Sequence, residues 1–201
     1  MSTSIRPALR ETYHHGDLRA ALVDAALEAL VTGGEAKVSL REVARRVGVS
    51  PAAPYRHFKS RADLLAAVAT AGFVRFRNAL EDAKAFLPER EHLAAMGSAY
   101  VAFARHNRAL FQLMFSPALD KDGDAALKAA CDASFAQLVE AAFRERGDDP
   151  YDTAVATWAL VHGLAQLLND RQILNLDPGR IDALVAGITR RFVEGLRAAR
   201  R

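Results

Sequence analysis

Tyr55, Arg56, His57 and Lys59 fall within five residues of one another, and with Ser39, Arg41 and Ser50 they form a set of donors suited to phosphate oxygens and base edges. Charge is concentrated in the same place. From Arg41 to Arg61, six Arg and Lys residues stand against Glu42 alone, a local +5, while the whole chain carries +3 and the remainder about −2. A basic patch confined to one short segment suits neutralisation of a polyanion better than general solubility. The bland alternative is a solvated helical face.

The elements that must hold these side chains follow from local rules. Ser39 can accept a bond from a free backbone N–H, and Glu42 three residues on completes a capping box, so a helix starts at Leu40. Leu40, Val43, Ala44 and Val47 recur at helical spacing and form an apolar face. Gly48 ends this helix, Val49 plugs the angle, and Ser50 caps a second helix with Pro51 at its first position. Pro54, at the fourth position of that helix, removes a backbone bond to Ser50 and predicts a tight or 3₁₀-like first turn. Two short helices joined by a Gly-containing turn over residues 39–58 outline a helix-turn-helix. Its DNA-facing side would present Ser50, Pro51, Ala52, Ala53, Tyr55, Arg56, His57 and Lys59.

The rest of the chain reads as helices, because sustained alternation of apolar and polar residues is missing and Ala and Leu dominate. Asp17 is expected to cap a helix through about Leu30, stopped by Gly33 and Gly34, and Ser60 to start a long one reaching Pro88. Further helices are expected over about Pro88–His106, Asn107–Phe115, Gly123–Arg146 closed by Gly147 and Pro150, Tyr151–Asp170 and Pro178–Ala199. A hydrophobic content of 51% over 201 residues is ample for a buried core. The single cysteine, Cys131, is expected to be a buried small hydrophobe. The N-terminus has no apolar signal region and no stretch resembles a membrane span, so a cytoplasmic protein is expected.

Tyr100, Phe103, Phe111, Met114, Phe115, Phe135, Phe143, Trp158 and His162 spread large side chains over the middle helices, where they could line an apolar cavity or simply be core. Apolar stripes on the last two helices (Ala154, Trp158, Val161, Ala165, Leu168; Ile181, Leu184, Val185, Ile188, Phe192) suit packing within the chain or against a second copy. Tyr13, His14 and His15 precede the first helix as an arm that could touch DNA. Adjacent histidines without a further ligand nearby make no metal site, and no cofactor is expected.

With these residues assembled, Gly16 to about Phe76 resembles the TetR/AcrR family of bacterial transcriptional regulators. Gly48, Val49, Ser50, Tyr55, His57, Phe58, Arg61, Asp63, Leu64 and Leu65 carry the likeness. Arg61 stands where lysine is usual, and Ala53 with Pro54 replaces a commoner Gly-Thr-Leu-type stretch. The C-terminal half resembles a subgroup marked by Trp-x-x-x-His-Gly, here Trp158, His162 and Gly163. The resemblance implies an all-α homodimer: a three-helix DNA-binding domain over 14–76 and an effector-binding and dimerisation domain over 77–201. Such a regulator would repress or otherwise control promoters at a near-palindromic operator, dimerise through its last two helices and release DNA when a small, largely apolar molecule binds. Tyr55 and His57 would then contact phosphates, with Ser39 and Ser50. Arg41 and Lys59 would flank the groove, Ala52 and Ala53 would touch base edges, and Arg56 would read sequence. The long helix from Ser60 to Leu87 would transmit the effector signal.

Two other classes compete. An architectural DNA binder needs no large second half. An enzyme needs a catalytic constellation, and the sequence has neither a G-x-S-x-G elbow nor a phosphate-binding Gly-rich loop.

Overall fold

The computed structural model describes residues 18–145, 149–173 and 177–198. Tyr13, His14 and His15, the Asp17 cap, the Gly147 stop and the expected helix ends at Arg146 and Ala199 lie outside these residues. Eight α-helices are formed among the described residues, with no strand: α1 Leu18–Gly33, α2 Leu40–Val47, α3 Arg61–Asp82, α4 Glu89–His106, α5 Arg108–Met114, α6 Ala125–Arg144, α7 Pro150–Asn169 and α8 Pro178–Ala198. Two short 3₁₀ turns, Glu35–Lys37 and Ala53–Arg56, complete the order.

Local signals account for most boundaries. The Ser39 hydroxyl accepts from the Glu42 amide at 3.2 Å and starts α2. Only half of the expected capping box forms, because the Glu42 carboxylate turns outward to Arg45 and Arg46 instead of returning to the Ser39 amide. A fuller version opens α3: Ser60 Oγ accepts from the Asp63 amide at 3.1 Å, while the Asp63 carboxylate accepts from Ser60 Oγ and the Lys59 amide. These bonds hold the Asp63 carboxyl below the ordinary aspartate value, the Ser60 hydroxyl contributing most. Gly48 closes α2 in the left-handed region at φ 78°, and both its amide and that of Val49 donate to the Ala44 carbonyl. Side-chain oxygens of Asp124 and Asp149 cap α6 and α7.

Two elements differ from the sequence expectation. The second helix of the motif is not an α-helix: it is a 3₁₀ turn over Ala53–Arg56 with no side-chain cap, so neither Ser50 nor Pro51 opens it as expected. Pro54 is the reason. In a four-residue turn it occupies the second position, where no amide is needed, and it is buried while its carbonyl accepts from His57 and Phe58. The long helix also stops at Asp82 rather than Pro88. Phe86, fully exposed at φ 65°, lies in the connection to α4.

A single hydrophobic cluster runs through the described residues from Leu22 to Val193. At one end α1 packs against α2 and α3, with Arg75 of α3 paired to Asp24 of α1. At the other, α4 lies at the centre, with α7 and α8 both packed on it, and α6 joins α3 to α7. Close approach has a sequence cause at Gly97: a Cβ there would stand 2.8 Å from Thr189 Cγ2 and 3.3 Å from Val161 Cγ1, so α4 meets both outer helices at a residue without a side chain.

Candidate functional site

The basic segment divides into bound and unbound charge. Arg45 holds the Glu42 carboxylate through two bonds of 2.7 and 2.9 Å, and Arg46 adds a third at 2.8 Å. Those bonds draw the Glu42 carboxyl down from its ordinary 4.5 to about 2. Arg61 is committed elsewhere: its guanidinium donates to the Val38 and Glu35 carbonyls at 2.8 and 2.6 Å and also reaches the Glu35 carboxylate. This fork ties the start of α3 to the α1–α2 connection, a geometry that one lysine ammonium would not reproduce. The basic residue of the family pattern is thus a structural clamp in this chain.

Arg41, Arg56 and Lys59 are exposed, and among the described residues their charged groups make no ion pair or hydrogen bond. Tyr55 is 60% exposed, and His57 is exposed beside the buried Phe58 ring. Arg19 lies over the same ring, 5.3 Å from the Phe58 centre. Ser50, Pro51 and Ala52 form an exposed tip, Ala53 is half-buried, and Ser39 is half-buried with its oxygen used in the cap. Of the expected donors, Arg41, Ser50, Tyr55, Arg56, His57 and Lys59 are exposed, and Ser39 is engaged in the α2 cap. An anion would find the unbound cations of Arg41, Arg56 and Lys59 among them.

A cavity of about 250 Å³ lies among α3, α4, α6 and α7. Of the residues expected to form such a space, Tyr100, Phe115, Phe135 and Trp158 line it. Phe103, Phe111 and Met114 are buried in the core outside its lining, His162 is half-buried and also outside the lining, and Phe143 is 69% exposed. Phe73, Phe76 and Leu80 of α3, Met96 of α4 and Leu138 of α6 complete much of the wall. Helical periodicity marks these five as core positions, and only the tertiary arrangement turns them toward a common space. Cys131 is half-buried on the same wall rather than sealed in the core, and burial pushes its thiol up.

One polar cluster interrupts this wall. The Tyr100 hydroxyl receives the Trp158 Nε1 proton at 3.1 Å and pairs with His162 Nδ1 at 2.8 Å. Trp158 and His162 sit one turn apart on α7, which lets both reach Tyr100 of α4. Burial drives the Tyr100 phenol well above its usual range. Burial, followed by the charge of Lys121, moves His162 below its ordinary value, which favours the neutral imidazole.

The apolar residues of α7 and α8 differ in burial. Ala154, Val161, Ala165 and Val185 are buried, whereas Val155, Ala159, Gly163 and Leu167 are exposed on α7, Val155 at the cavity. Ile181, Leu184, Ile188 and Phe192 are half-buried on α8. No helix among the described residues is long and apolar enough to cross a membrane.

Comparison with known proteins matches two family models. The one described as bacterial regulatory proteins, tetR family, covers residues 22–68, and the one described as tetracyclin repressor-like, C-terminal domain, covers residues 93–192. No curated protein matches. Among solved structures, a protein of unknown function from Rhodococcus sp. RHA1 is 33% identical, with 92% of this chain and 97% of that chain covered and a TM-score of 0.79. The TetR family transcriptional regulator PfmR from Thermus thermophilus shares the fold at 20% identity, covering 87% of this chain and 98% of its own, TM-score 0.61. The transcriptional regulator FadR from Bacillus subtilis, solved with stearoyl-CoA, does so at 18% identity, covering 88% and 98%, TM-score 0.68.

Proposed function

We propose that this chain, which belongs to the tetR family of bacterial regulatory proteins and is a DNA-binding transcriptional regulator, acts as a homodimeric repressor whose operator affinity falls when a small, largely apolar effector binds. One observation carries the reading: α3 starts directly after the exposed donors of the helix-turn-helix and contributes Phe73, Phe76 and Leu80 to the cavity wall. A ligand that prefers one placement of α3 therefore biases the placement of the DNA-binding end, as differential affinity for two states requires.

The roles divide as follows. Residues 14–76 form the DNA-binding domain, from which Phe73 and Phe76 reach the cavity wall, and 77–201 bind the effector and pair the protomers. Tyr55, His57, Ser39 and Ser50 position the protein on phosphates, Arg41 and Lys59 flank the groove, and Pro51, Ala52 and Ala53 approach base edges closely. Arg56 supplies the bidentate contact to a guanine. Tyr100, Phe115, Phe135 and Trp158 receive the effector, with His162 fixing Tyr100. Phe103, Phe111 and Met114 act as packing behind that site. The paired bonds from Trp158 and His162 to Tyr100 support the Trp-x-x-x-His-Gly subgroup. The exposed α7 face around Gly163, with α8, supports pairing through the last two helices, since a Cβ at Gly163 meets nothing within the protomer. A dimer places two recognition elements on successive major grooves. We place the protein in the cytoplasm, with its DNA.

The test is binding of the purified protein to its own upstream DNA and to random DNA at several salt concentrations, with and without apolar ligands. Strong preference for one near-palindrome, weakened by a ligand, is the expected result. Equal affinity for both DNAs refutes the reading in favour of an architectural binder.

A further inference from the structure

Lys121 lies in the connection between α5 and α6, and its ammonium stands over two rings of the cavity wall, 5.5 Å from the centre of Phe115 and 5.9 Å from that of Phe73. The residue is half-buried, and among the described residues it forms no ion pair. Of its acidic neighbours Asp120, Asp122 and Asp132, none forms an ion pair with it among the described residues. The Asp120 carboxylate accepts from the Gly123 amide at 2.8 Å, and Asp132, the acidic residue on the cavity wall, is held by Lys128 at 2.7 Å. Lys121 is not itself among the lining residues; its ammonium stands beside the wall, over two of its rings, with no ion pair of its own among the described residues. Two phenyl faces offset only part of what partial desolvation of an ammonium costs.

We propose that Lys121 anchors the carboxylate of an effector whose apolar body occupies the cavity among Phe73, Phe76, Leu80 and Trp158. The inference rests on the effector reading above and names the ligand's class: a small apolar body bearing one carboxylate. Charge disfavours the opposite class, since Asp132, the acidic residue on the wall, is already held by Lys128. An aromatic wall could attract a cation, but the faces of Phe73 and Phe115 already carry an ammonium that repels a second one. After burial, the same charge contributes to lowering the His162 pKa. Size sets the other limit, because about 250 Å³ falls below the usual range of about 300–1,000 Å³ for ligand pockets, so the body is short.

Trp158 is the chain's sole tryptophan and lies on the cavity wall, so its emission reports occupancy. Full-length protein is titrated with octanoate and with 1-octanol, which share the apolar body and differ in charge. Octanoate should bind at least about tenfold more tightly, the equivalent of about 1.4 kcal/mol. Lys121→Met, which keeps an unbranched side chain over the rings, should remove that preference and leave octanol affinity unchanged. Equal binding of the two probes by the unsubstituted protein overturns the carboxylate assignment alone. Persistence of the preference in Lys121→Met overturns the role of Lys121. Failure of both probes to change the emission overturns the effector reading together with this one.

Discussion

Replacing Tyr100 by Phe removes one oxygen and separates three residues. Tyr100 is 5% exposed, and its hydroxyl joins Trp158 Nε1 at 3.1 Å to His162 Nδ1 at 2.8 Å. A fully buried polar group left without a partner costs about 1–3 kcal/mol, so two such groups would set a ceiling near ~6 kcal/mol. The structure lowers that figure. Trp158 is 38% exposed and His162 is half-buried, so water can satisfy part of each, and the variant no longer desolvates a phenol. A net loss of about 1–2 kcal/mol follows, equivalent to a Tm drop of roughly 2–8 °C for a chain of this length. Urea unfolding followed by circular dichroism, at one fixed protein concentration, measures it; the slope should stay unchanged while the midpoint falls. The reasoning fails if the loss is under about 0.5 kcal/mol, or if a double-mutant cycle with Trp158→Phe is additive within about 0.5 kcal/mol.

Three further outcomes are expected. Gly97→Ala should destabilise by about 1–3 kcal/mol, read by the same unfolding assay, because the new methyl meets Thr189 and Val161 on two packed helices. Glu42 has a carboxyl depressed in the folded state, so its contribution is fully present above pH 4.5 and is lost as pH falls toward about 2; in Glu42→Gln the urea midpoint should vary less with pH across that window. Arg56→Ala should cost about 1–3 kcal/mol at the preferred operator and little on random DNA. By contrast, Lys59→Ala should weaken both and reduce the salt slope by about 0.9 in competition binding assays.

The helical order was legible because most boundaries are written locally. Ser39, Gly48 and Ser60 act through bonds to residues within five positions, and each behaves in the structure much as its neighbours in the chain dictate. Pro54 was half legible: its missing amide announces a tight turn, but whether the chain resumes an α-helix depends on burial of the ring against the rest of the domain. Charge was legible in amount and less so in availability. Arg61 counts toward the basic patch in sequence, yet its partners stand 23 and 26 residues away, a separation no local rule reads. The cavity was the least visible feature. Tyr100, Phe115, Phe135 and Trp158 look in sequence like Phe103 or Phe111, because an apolar stripe has the same period whether it faces a neighbouring helix or a void. Lys121 gave no periodic signal at all, being a loop residue whose role depends on two rings from α3 and the end of α5.

The clamp formed by Arg61 gives α3 a mechanical meaning. The helix is unbroken from Arg61 to Asp82, fastened at its first residue to the α1–α2 connection and bordering the cavity as far as Leu80. Nineteen rises of 1.5 Å separate Arg61 from Leu80, a lever arm of about 28 Å. A rotation of about 5° around the Leu80 end would carry the Arg61 end about 2.5 Å, close to three quarters of the 3.4 Å spacing of bases along a strand. Such an arm would convert a change smaller than one methyl group at the cavity into a misfit of about three quarters of a base step at the other end.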